Sequence, residues 1–180
     1  MRKALSALGL LLAAPLTHAA DVTLALSNKT VASDFTSLPI GQGLGVTAGF
    51  LHHSDNGNLG SLGLQVSQQV NAGLNASLGG KLFFVQNDTR NASALALGGQ
   101  VDMALPGAAQ LHVGLHAWYA PQVTSFNGAD NLHDIGVSVS YRVLGNAEVF
   151  AAYRRVRIDY DREGGKTIQS GPLFGIKLFF

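Results

Sequence analysis

Two stretches of this chain hold residue types that could do covalent or metal chemistry. His52-His53-Ser54-Asp55-Asn56-Gly57 sets a hydroxyl two residues from an imidazole, and nucleophilic catalysis needs that pair plus an acid to orient the base. On an extended strand His52 and Ser54 share a face while Asp55 falls on the other, and the next strand offers no Glu, so the acid is missing. His112 and His116 are four apart, which suits a helix face; on a strand they stand about 13 Å apart, too far for one metal ion. No metal site and no cofactor is expected, nor a phosphate-cradling glycine loop, because the glycines fall in strands.

What remains is ionic, and its scarcity says which elements must carry it. Asp, Glu, Lys and Arg make up 13% of 180 residues, against roughly 25% in a soluble domain, while 47% are hydrophobic. A net charge of +1 excludes a strongly basic nucleic-acid binder, and the lack of Cys excludes disulfides and thiolate chemistry. Met1-Arg2-Lys3 and the apolar run 4–16, closed by Thr17-His18-Ala19, have the plan of an export signal over 1–19, too short for a membrane anchor. Its removal leaves ten basic and eleven acidic side chains, a net charge of −1.

Period-two alternation fills the remainder. Leu44, Val46, Ala48 and Phe50 share one face of 41–54, opposite Gly43, Gly45, Thr47 and Gly49; the pattern recurs in 58–70, 73–87, 91–105, 109–121, 131–144, 147–160 and 168–180. A soluble sandwich or lipocalin-like barrel also alternates, but its outer face needs charge, and here the second face is mostly Gly, Ala, Ser and Gln. Connections alternate too: short at 71–72, 105–108 and 144–146, longer at 53–58, 87–91, 121–131 and 160–167. That is the layout of an all-β, up-and-down antiparallel transmembrane β-barrel, closed because an unpaired edge in hydrocarbon costs several kcal/mol per polar group. Outward Phe50, Phe84 and Tyr119 near the loop end, and Tyr141 and Phe180 near the turn end, are placed as two aromatic girdles.

Eight strands are expected over 40–180, with residues 20–39 as a lead-in or partial plug. The alternative is ten, with a further hairpin from 22–27 and 31–36; both segments are short for a crossing of about 9–11 residues. Either count puts both termini on the periplasmic side of a bacterial outer membrane. An eight-stranded bore is just wide enough for side chains. Inward faces place Asp102, Arg142, Glu148 and Lys177 near the periplasmic rim, with Lys81, His116 and Arg154 nearer the middle. Buried charges must pair, so a network of Asp102, Arg142, Glu148, Lys177, Lys81 and Arg154 is expected to seal the lumen; a narrow gated ion channel through rearranged pairs is the alternative. Beyond Tyr153 the lipid face continues as Arg155, Arg157 and Asp159, which must rise above hydrocarbon; there the two Arg are candidates to contact lipopolysaccharide phosphates.

Three resemblances follow from short motifs. The ending Gly175-Ile176-Lys177-Leu178-Phe179-Phe180, with Gly175, Leu178 and Phe180 as its key positions, resembles the assembly signal of bacterial outer-membrane barrels, which implies the barrel-insertion machinery and periplasmic chaperones as partners; Leu173 departs from it, standing where a polar residue is usual. The closing run 171–180, the polar turn His52 to Asn58, Trp118-Tyr119-Ala120-Pro121 and Ala151-Ala152-Tyr153-Arg154 resemble the YfaZ-type outer-membrane proteins over 41–180. That family is similar to the OmpA-like group of eight-stranded barrels, which implies a small barrel and no defined activity. His52-x-Ser54 looks like a stretch of the outer-membrane lipid A deacylases, but those carry it late in the chain. The expected role is a non-enzymatic structural or surface-interaction barrel, a lipid A-modifying hydrolase being the minor alternative.

Overall fold

Because strand side chains alternate between two faces, a sheet with oil on one face and small or polar groups on the other can only satisfy both by curling around the second. A computed structural model of the chain describes residues 20–37, 43–87, 91–160 and 164–180, and shows that closure. The strands are β1 (Ala20–Leu26), β2 (Thr30–Ser37), β3 (Leu44–His53), β4 (Gly57–Asn71), β5 (Leu74–Gln86), β6 (Asn91–Leu105), β7 (Ala108–Ala120), the two-residue β8 (Ser125–Phe126), β9 (Ala129–Leu144), β10 (Ala147–Tyr160) and β11 (Gly164–Phe179). Every pairing is antiparallel, β7 passes to β9 with β8 capping β6, and β11 pairs with β1, so ten strands form a ring without an edge.

The preferred count of eight is therefore corrected to ten. Residues 20–37 are neither lead-in nor plug: they are β1 and β2, and the barrel begins at Ala20 rather than 40. The export signal, 1–19, and residues 38–39 lie outside the described residues. β1 and β2 have only 7 and 8 residues, short for a crossing of about 9–11. Their loop end is finished by the β3–β4 turn instead. Ser54 N–H donates to the Lys29 carbonyl at 2.9 Å, the Lys29 ammonium meets Asp55 at 2.6 Å, and Asn56 Nδ2 donates to the Ile168 carbonyl of β11 at 3.0 Å. Beneath that roof Thr30 Oγ1 donates to Gln169 Oε1 at 2.6 Å, both side chains buried. A backbone group of β11 that the short hairpin cannot reach thus finds a partner.

The outer face carries the alternating apolar residues, Leu62, Leu64, Val66, Leu78, Leu97 and Val139 among them, all exposed as a lipid-facing wall requires. Phe50, Phe84, Tyr119, Tyr141 and Phe180 point outward with them. Inside, the two ends differ. Toward the loop end Leu51, Leu59, Phe83, Val85, Trp118, Leu132, Val156, Ile158, Ile168 and Leu173 bury one another in a core of the kind a soluble domain has. Toward the terminus end the inward positions are mostly Asp, Glu, Lys, Arg, His, Ser, Thr and Gln, with Phe150 and Phe179 among them. Leu173, out of place in the assembly-signal pattern, is a buried inward residue of the apolar cluster at the point where that cluster borders the charged groups.

Candidate charged chamber in the lower bore

At the boundary between the two halves, opposite Trp118 and Val156 in the register, Asp134 of β9 has no solvent exposure. Cross-strand register puts Gly136 opposite both His116 of β7 and Arg154 of β10. A Cβ at 136 would collide with the His116 ring, so glycine there lets the imidazole lie against the wall and reach Asp134. Arg154 donates through Nε and Nη2 to the two Asp134 oxygens at 2.9 and 2.7 Å, and His116 Nε2 stands 3.2 Å from Oδ1. A fork-on-carboxylate geometry with a third polar partner is what makes a buried ion pair tolerable.

Nearer the rim, Arg142 and Glu148 are direct register partners, with guanidinium nitrogens 3.1 and 2.8 Å from Oε1 and the Ser140 hydroxyl donating to Oε2 at 3.0 Å. Asp102 is held by His112 at 2.9 Å, and Lys177 by Asp21 at 3.8 Å. Arg142 and Lys177 both lie over the inward Phe179 ring, 5.4 and 5.1 Å from its centroid. Lys81 rests 4.6 Å from the centre of Trp118, at the boundary between the two halves. Two adjoining cavities of about 180 and 190 Å³ lie among these groups, sharing Asp34, His116, Arg154 and Lys177.

Of the six lumen charges expected to form one network, only Arg142 and Glu148 meet each other. Arg154, Lys177 and Asp102 pair instead with Asp134, Asp21 and His112, and Lys81 has an aromatic partner, so the expected single network is a set of separate pairs. Asp134 and Asp21 were missed in the sequence, yet the parity that turns Ser138, Ser140 and Arg142 inward also turns Asp134 inward. Asp21 was hidden by leaving 20–39 out of the barrel. No group of three or more potential metal ligands occurs among the described residues.

The other sequence candidates lie outside the chamber. His52 Nδ1 is 2.7 Å from Asn58 Oδ1, while the Ser54 hydroxyl donates to the Lys29 carbonyl at 3.4 Å, so imidazole and hydroxyl are held by different partners. Arg157 is paired with Asp159 at 2.9 Å; Arg155 is exposed and makes no ion pair or hydrogen bond among the described residues. Gly175, Leu178 and Phe180 lie on the β11–β1 seam, opposite Ala25 and Val22 for the first two and hydrogen-bonded to Ala20 for the last.

The geometry is that of a ten-stranded barrel with charged side chains lining its lower bore. The family described as YfaZ precursor matches residues 1–180. The chain belongs to the YfaZ family. The further likeness to eight-stranded OmpA-like barrels does not hold, since this YfaZ-family barrel has ten strands. No curated protein matches the sequence. Among solved structures the barrel is similar to the outer membrane protease OmpT from Escherichia coli, with a TM-score of 0.52, 9% identity, and 90% of this chain and 93% of that chain covered. It also resembles the KdgM porin (TM-score 0.49, 11% identity, covering 90% and 99%) and the NanC porin (TM-score 0.47, 10% identity, covering 90% and 98%). At such identities the likeness is one of fold, an outer-membrane-type β-barrel.

Proposed function

We propose that this YfaZ-family protein is an integral outer-membrane barrel that does not conduct and serves as a closed structural or surface-interaction element, without enzymatic activity. The observation that carries the reading is the apolar half-core: Phe83, Leu132, Ile158 and Ile168 have 0% exposure and Trp118 has 2%, so the bore is filled at that level. Apolar packing, rather than a network of charged pairs, is then the seal. The charged pairs line the cavities on the terminus side of that core. Short turns at 72–73, 106–107 and 145–146 lie at that end, which supports periplasmic termini and outward loops. Exposed Gly175-to-Phe180 positions before closure fit recognition by the insertion machinery and its chaperones.

Planar-bilayer recording of the purified protein tests the reading. Wild type and Arg142→Ala are expected to give no conductance steps. Reproducible steps in wild type would overturn it in favour of the narrow gated channel. Lipid A from overexpressing cells is expected to keep all its acyl chains by mass spectrometry, and loss of one would restore the hydrolase.

A further inference from the structure

The lipid-facing wall is not smooth. Cross-strand register aligns Leu78, Gly99, Ala117, Ile135 and Arg155 in one row across β5, β6, β7, β9 and β10. Gly99 and Ala117 form a low floor between larger neighbours, Val101 and Leu115 on one side and Leu97 and Tyr119 on the other. The resulting open trough has a volume of about 810 Å³, within the roughly 300–1,000 Å³ of ordinary ligand sites. The glycine is obligatory, because a Cβ at 99 would run into the Ser77 carbonyl. Arg155 closes the row. It is exposed, faces outward and has no ion pair or hydrogen bond among the described residues, and Arg157 follows it on the same face.

An unpaired guanidinium beside hydrocarbon calls for an anion that comes with a chain. Counted from the terminus-side ends of their strands, Leu78 stands four residues up from Leu74, Gly99 six from Leu105, Ala117 nine from Ala108, Ile135 nine from Leu144 and Arg155 eight from Ala147, so the trough lies high on β7, β9 and β10, beside Arg155, and descends toward the terminus side through Gly99 to Leu78. Eight residues on a strand tilted about 40° rise roughly 20 Å, near the upper edge of an apolar band about 25 Å tall. A phosphate at that level with an acyl chain running down the trough has the shape of one lipid of the outer leaflet. The opposite wall has a smaller depression, about 300 Å³, lined by Val22, Phe35, Ala48, Phe50, Leu62 and Phe84, with no cation. Charge therefore distinguishes the larger of these depressions from the smaller.

The geometry points to a lipid A site on the barrel's outer wall, with one acyl chain lying over Gly99 and Ala117 and one phosphate held by Arg155, assisted by Arg157. Arg suits this role because its planar fork matches phosphate oxygens. The site rests on the outer-membrane reading with loops outward.

The test uses the full-length barrel folded into phosphatidylcholine vesicles with and without lipid A, then extracted in mild detergent, with lipid A per barrel counted by mass spectrometry. Gel mobility of the unboiled protein reports folding in phosphatidylcholine alone; lack of a folded band there is failure of the membrane-barrel reading, separate from the lipid site. Ala117→Phe, which fills the trough, and Arg155→Ala are each expected to lower retained lipid A roughly ten-fold, the scale of one charge-assisted hydrogen bond. Ala48→Phe, in the uncharged depression, is expected to leave retention unchanged. Equal retention by all variants, or a loss with Ala117→Phe but none with Arg155→Ala, overturns the site. So does equal retention of phosphatidylglycerol in place of lipid A.

Discussion

Arg154 grips both carboxylate oxygens of Asp134, at 2.9 and 2.7 Å, at a point in the bore where Asp134 has no solvent exposure. Removing one partner strands the other charge. Arg154→Ala is expected to destabilise the barrel by about 3–5 kcal/mol, whereas replacing both members with apolar residues, Asp134→Leu with Arg154→Met, costs far less. Urea unfolding in micelles, followed by the mobility of unboiled protein, measures the difference. Equal losses for single and double variants would show that the pair is not the unit of stability.

The apolar half-core makes a second expectation. Phe83→Ala removes a fully buried ring from the level at which the bore is filled, at a cost of about 3–5 kcal/mol. If that ring is part of the seal, Phe83→Ala combined with Trp118→Ala also produces conductance steps that wild type lacks. A silent double variant that is folded would place the seal elsewhere.

At the roof over β1 and β2, the hydrogen bond and charge of Lys29 hold the Asp55 carboxyl below its ordinary value, and Asp55 in turn holds Lys29 above its own. The Asp55 contribution is present above its unfolded pKa and is lost as pH falls through the folded value. That of Lys29 is full below its unfolded pKa and is lost as pH rises through the folded one. Both groups are exposed, so solvent screens the pair. The protection factor of the Ser54 amide, which donates to the Lys29 carbonyl, should be flat through neutrality and drop below about pH 4. Asp55→Asn should show no such drop.

On the closing seam, a Cβ at 175 would strike both the Leu24 carbonyl of β1 and the Phe150 ring. Gly175→Ala is therefore expected to leave a larger fraction of the protein in the unfolded band on unboiled gels, and Phe150→Ala should not rescue it, because the backbone clash remains. Full rescue would assign the glycine to ring packing alone.

The strands from 41 onward could be read from alternation because each is long enough to show its two faces. Length alone does not reveal β1 and β2 as wall strands, since what lets so short a hairpin stand in the wall is a turn from 54–56 folded over it, a contact between residues about 25 positions apart in sequence. The same distinction runs through the chamber. Arg142 and Glu148 were legible because a tight turn makes them register partners, and Asp134 was available by parity. Its choice of Arg154 over other cations was not, because that depends on Arg154 standing opposite Gly136, two residues from Asp134, once β9 and β10 are in register. The division of the bore into an oily and a charged half was present in the inward letters of each strand, Ala92, Ala94 and Ala96 against Gln100 and Asp102 in β6, but shows only when the strands are aligned around the ring.

The divided bore also grades the mechanical character of the cylinder along its axis. Close-packed side chains resist compression, so the loop-side half is a filled rod and the terminus-side half a hollow hoop braced by a few ionic struts. Lateral pressure from the surrounding bilayer deforms the hoop into an oval before it strains the rod.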